Sequence, residues 1–223
     1  MLEPRLSLCA EMVKGDYICD VGTDHAYLPA ELIISGKCRR AIAADIKENP
    51  LLSAKATIEK YGLTDRITTV LSDGLDNIDL TDVTDISIAG MGGEMIINIL
   101  GKCDRIKPNV DLILQPMTKA HLLRRYLCEN GYEIISEKAV CERKFCYSVI
   151  SARKNGVKKV CSDVDAEIGA MDLSLPDERI YALKRAEKLE KTAKSVSSSD
   201  ISKYKHYMEI AKKIRNKLKE TEI

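Results

Sequence analysis

Four short stretches in the first half of the chain place acids and glycines where an apolar run gives way to a turn. The first is Asp20-Val21-Gly22-Thr23-Asp24-His25, directly after Tyr17-Ile18-Cys19. Gly22 lets a ligand approach the main chain where a side chain would clash, and Asp20 can sit near the amino group of a methionine moiety. Asp24 stands where the dinucleotide pattern G-x-G-x-x-G has its second glycine, and a carboxylate there would repel a pyrophosphate. NAD and FAD are disfavoured; a ligand with cationic sulfonium and ammonium groups is not. The second stretch is Asp45-Ile46, closing Ala41–Ala44 a little over twenty residues after Gly22. That is the spacing of an acid gripping both hydroxyls of a ribose. In the third, Ser72-Asp73-Gly74, the carboxylate can accept from the exocyclic amine of an adenine, although Asp and Gly are also ordinary turn residues. The fourth, Ile88-Ala89-Gly90-Met91-Gly92-Gly93-Glu94, has three glycines in four positions. It could cradle a phosphate, but no P-loop lysine follows. The joint spacing fits S-adenosylmethionine, with Asp20, Gly22, Asp24, His25, Asp45, Ile46, Asp73, Gly74 and Gly90 as candidate donor-binding residues.

Alternating strand and helix patterns position these stretches. Strands are expected at 17–21, 41–44, 67–71, 85–89 and 110–114, with helices at 26–34, 49–61, 94–100 and 119–129. Asn49-Pro50 reads as a cap followed by Pro at the first helical position. Two further strands, 132–140 and 145–152, are joined by a short turn near Glu142-Arg143. Such an order predicts a mainly parallel sheet with helices on both faces, closed by a hairpin, as in Rossmann-like methyltransferases. Asp20, Asp45, Asp73, Gly90 and Gln115 then fall at the carboxyl ends of strands, where open α/β sheets bind ligands. Beyond about residue 155 the character changes. Pro176-Asp177 starts a helix to about Lys194, and Asp200 caps another to about Glu220. Tyr204, Tyr207, Ala211, Ile214 and Leu218 form a narrow seam of the coiled-coil kind. The expected organisation is a donor-binding domain over 1–155 and an antiparallel helical hairpin over 156–223.

Composition bounds the function. The 223 residues are 45% apolar and 31% charged, a globular composition. No apolar run approaches the ~20 residues of a membrane helix. The first residues lack a signal-peptide pattern, so a cytoplasmic location is expected. Eight cysteines include no C-x-x-C pair, and with three histidines they make a metal site unexpected. Most sit singly in apolar runs as small hydrophobes, and core filling is also the reading for the one close pair, Cys141 and Cys146. Residues 1–152 carry 18 Lys+Arg against 22 Asp+Glu, whereas 153–223 carry 17 against 12. The basic tail could meet an anionic partner or simply be a lysine-rich helical surface. Oligomeric state is left open, and a monomer is compatible with the sequence.

The runs DVGTDHAYLP, AADI, SDGL, IAGMGGE and LQPM, in this order, closely resemble the TrmK family of bacterial tRNA adenine-N1 methyltransferases, which act on adenine 22. The likeness extends over essentially the whole chain, although the helical hairpin matches in type more than in residues. It implies a Rossmann-like fold, S-adenosylmethionine as donor and tRNA as acceptor. In that frame the residues beside the reacting centre are Asp24, Gly90, Met91 and Gly92, and the acceptor side comprises Tyr27, Gly92, Gly93 and Gln115. Methylation moves positive charge onto the adenine ring, which a nearby carboxylate would stabilise. Asp24 is the first candidate, its other possible task being the donor's ammonium. His25 could touch a phosphate or the base, or cap the helix after it. Tyr27 could stack on the adenine or be partly buried, and Gln115 could bind the base edge or merely end its strand. Two rival readings stand beside this one: methyl transfer to a small molecule or protein, and a non-catalytic RNA-binding protein that keeps a donor pocket.

Overall fold

The computed structural model describes residues 2–221. A seven-stranded sheet has the order β3-β2-β1-β4-β5-β7-β6. Its parallel part is β1 (Tyr17–Val21), β2 (Arg40–Asp45), β3 (Ile67–Leu71), β4 (Asp85–Gly92) and β5 (Asp111–Thr118). β6 (Tyr132–Glu142) and β7 (Phe145–Lys154) form an antiparallel hairpin whose second strand adds antiparallel to β5. The inner parallel strands are largely apolar because both their faces are covered, whereas the edge strand β3 buries only Ile67 fully. In β1, Ile18 faces a core shared with α1 (Pro4–Met12), α2 (Tyr27–Ile34) and α3 (Glu48–Lys60). Cys19 and Val21 face the opposite core, under α4 (Gly93–Lys102) and α5 (Ala120–Glu129). Period-two alternation thus divides one short strand between two cores.

The fold agrees with the class expected from sequence and differs in detail. α1 and the six-residue α6 (Asp163–Ile168) escape the pattern reading, being short and weakly periodic. α3 starts at Glu48, so Asn49-Pro50 lies inside its first turn rather than at the cap. Proline is tolerated there because first-turn N–H groups have no intrahelical partner. His25 is not a cap either: Ala26 takes the N-cap position of α2 with φ 52°. Cys141 and Cys146 are directly paired across the β6–β7 hairpin and form a disulfide, which replaces the core-filling reading. Their opposition depends on the tight turn at Arg143, φ 53°.

α7 (Pro176–Val196) and α8 (Ile201–Glu220) pack as a hairpin around Ala182, Ala186, Leu189, Ile210, Ala211, Ile214 and Leu218. Asp200 caps α8 by accepting from the Lys203 amide. The hairpin is joined to the sheet by Arg124 of α5, which is wholly buried. Its guanidinium forks onto Glu137 of β6 at 2.6–3.1 Å and donates to the Ala166 and Glu167 carbonyls, Ser148 Oγ and Tyr181 OH. Burial opposes that charge, but Glu137 and Tyr181 outweigh it and raise the pKa. No described helix is long and apolar enough to cross a membrane.

Candidate active site

The strand order reverses between β1 and β4, and a cleft opens above that switch point. It measures about 670 Å³ and takes in Asp20, Gly22, Asp24, His25, Tyr27 and Gly90. After β1, Gly22 turns with φ 77°, a conformation that favours glycine. The amides of Gly22 and Thr23 both donate to the Ala44 carbonyl at 2.8 and 2.9 Å, tying the turn to β2. A Cβ on Gly22 would overlap the Met91 methyl, so the space beside this glycine is filled by the β4 loop. The chain then presents Asp24 and His25 before α2 begins. The His25 and Tyr27 rings stack with centroids 5.1 Å apart and planes 14° apart.

Asp20 and Asp24, two of the acidic residues that line the cleft, stand in opposite environments. Asp20 is 7% exposed, and burial pushes its pKa up to about 6. A buried carboxylate in that state favours a cation beside it. The Asp24 side chain is 82% exposed, 3.5 Å from His25 Nε2. Its charge is screened by water unless an acceptor covers it.

The other candidates surround this cleft without lining it. Asp45 ends β2, and its Oδ1 accepts the Lys47 amide at 2.8 Å; Ile46 beside it is exposed. Asp73 pairs with Lys102 at 3.2 Å, and Gly74 turns with φ 57° against Ile99. Gly93 is buried against the Lys119 carbonyl, and Gly92 faces Thr118. Gln115 does not end its strand, because β5 continues to Thr118. It is fully buried, and its Oε1 accepts from the Gly90 amide at 3.0 Å and from Arg5 at 3.3 Å. Its carbonyl oxygen is therefore engaged in holding the Gly90 turn, not presented to a ligand. Arg5 in turn pairs with Glu3 at 3.1 Å, and both line the cleft. Sequence reading missed this wall of α1; the available signal was Pro4 at a helix start followed by Leu8, Cys9 and Met12 at helical spacing. Among the described residues no group of three or more His, Cys, Asp or Glu side chains could hold a metal ion.

Fold and site together define a methyltransferase: the methyltransferase-domain family matches residues 2–150. Within that class the chain is 38% identical, over 176 residues, to the tRNA (adenine(22)-N(1))-methyltransferase of Bacillus subtilis (strain 168), covering 78% of this chain and 71% of that one. It belongs to the family of that enzyme. A Streptococcus pneumoniae crystal structure superimposes with a TM-score of 0.86 at 33% identity, covering 98% of this chain and 100% of that one. TrmK of M. capricolum, in complex with S-adenosyl-homocysteine, gives 0.80 at 29% identity, covering 98% of each.

Proposed function

We propose that this protein transfers a methyl group from S-adenosylmethionine to N1 of adenine 22 in tRNA. Kinship with the B. subtilis enzyme carries the reading, and the cleft supports it. The donor supplies an electrophilic methyl on a sulfonium centre, and the residues present suit such a molecule. The buried Asp20 carboxylate answers its ammonium group. Asp45, with Ile46 beside it, stands one strand further along for the ribose. The Asp73-Gly74 turn on the next strand bounds the adenine end. Gly90, Met91 and Gly92, held by Gln115 and Arg5, form the wall beside the reacting centre.

Adenine N1 carries a free lone pair when unpaired, so attack needs no prior deprotonation. The stacked His25–Tyr27 pair offers a face for the target base. Asp24 counters the positive charge that grows on the ring. Because its side chain stands in water, it gains that role as the acceptor covers the cleft and excludes solvent. Residues 1–155 hold the donor, while the basic 156–223 segment meets tRNA phosphates, in the cytoplasm. The ends of these two segments, residue 1 and residues 222–223, lie outside the described residues.

Incubating unmodified tRNA with the protein and labelled donor, then mapping the methyl group by nuclease digestion and mass spectrometry, tests the assignment. A single N1-methyladenine at position 22 is expected. Methylation of a small molecule or protein instead, or donor binding without transfer, would overturn it.

A further inference from the structure

The cleft does not end at the reacting centre. It continues along the outer face of α2, past Glu31 and Ile34, to Tyr61 at the end of α3. Tyr27, Glu31 and Ile34 follow one another at four and three residues and share one helix face. Ile34 lies seven residues along the helix from Tyr27, a rise of roughly 10 Å. Tyr27, Ile34 and Tyr61 are 52%, 56% and 50% exposed. The chain has nine Tyr, one Phe and no Trp, so two half-exposed rings in one groove are a concentration.

We propose that this groove takes a second unpaired base of the acceptor RNA, adjacent to the adenine that reacts, stacked on Tyr61. The inference rests on the reading of tRNA as acceptor and adds a subsite to it. Aromatic faces stack bases of any sequence. Glu31 shows which way round the strand lies. Its carboxylate in the groove repels a phosphate but accepts from an exocyclic amine, so bases point inward. Lys60, with its ammonium 5.5 Å from the Tyr61 ring centroid, supplies a cation for the phosphate outside. The subsite also has a physical purpose. Swinging one base out of a stack leaves its neighbour half unstacked, and a second ring in the groove replaces the lost partner.

Because the chain lacks tryptophan, Tyr61→Trp gives a single indole reporter at the subsite, excited apart from the tyrosines. Titrating that variant with tRNA in the presence of S-adenosyl-homocysteine should quench the indole in step with binding. Tyr61→Ala should raise the KM for tRNA about tenfold, the scale of one lost stacking contact. Tyr61→Phe should restore it, and donor affinity, measured by calorimetry, confirms that each variant is folded. Glu31→Gln should narrow the preference for an amine-bearing base at the neighbouring position. If the wild-type chain leaves tRNA unmethylated, the acceptor reading fails and this subsite with it. If tRNA is methylated but the indole is unquenched and Tyr61→Ala keeps the wild-type KM, the second base site alone is refuted.

Discussion

Asp20 and Asp24 are four residues apart, and their surroundings separate the tasks proposed for them. Asp20 titrates near 6 because burial disfavours its charge. A bound cation reverses that preference, so donor binding should release a proton at pH values near 6. Affinity for S-adenosylmethionine should be full above that range and fall as pH drops through it, because the protonated acid no longer attracts the ammonium. Calorimetry in buffers of different ionisation heat measures both effects. An affinity flat from pH 5 to 8 would take Asp20 out of the donor site. For Asp24→Asn, the side chain keeps its shape and loses its charge. We expect kcat to fall by at least tenfold while donor affinity changes less than twofold. Equal losses in both would assign Asp24 to the donor alone.

At the scale of elements, the decisive feature is the joint between sheet and helical hairpin. Arg124 serves α5, β6, β7, α6 and α7 at once. Replacing it with Leu leaves Glu137 buried without its counter-charge, a loss of about 3–5 kcal/mol. In a chain of this size that lowers Tm by roughly 10 °C, readable by calorimetric melting. A change under 2 °C would show the network to be dispensable. This joint also marks the limit of what the sequence discloses. The strand ends and turns at Asp20-x-Gly22, Asp45 and Asp73-Gly74 are legible because they are local chemistry, written in consecutive residues. Arg124 in RRYLCEN looks like any helical surface cation, since its partners lie 13 to 57 positions away. Arg5 and Gln115, 110 positions apart, are hidden for the same reason. The disulfide is an intermediate case: five residues separate Cys141 from Cys146, and only the register of the turn makes them face one another.

For the whole molecule, charge is divided between a net of −4 over residues 1–152 and +5 over 153–223. Several hairpin cations are already occupied: Arg185 pairs with Glu167, Lys213 with Glu209 and Arg215 with Glu190. Lys184, Lys188, Lys212 and Lys219 are better placed to meet an external anion, Lys184 donating only to a main-chain carbonyl. Replacing these four with Gln should weaken tRNA binding and flatten its salt dependence, each lost phosphate contact reducing the log–log slope by about 0.9 on duplex. Donor affinity should not move. Filter binding at two salt concentrations decides it, and an unchanged slope would return the acceptor surface to the catalytic domain alone.

The buried Arg124 joint gives the hairpin a fixed bearing. α7 is 21 residues long, roughly 30 Å of rigid rod, anchored where Tyr181 meets that guanidinium. With the proposed phosphate contacts on it, such a rod would act as a gauge, setting one distance between the pocket where a base reacts and the place where the polyanion's backbone is gripped. Lengthening the RNA between those two points by a single nucleotide would put one contact out of reach whenever the other is made. Recognition would then depend on measured length as well as on the base itself.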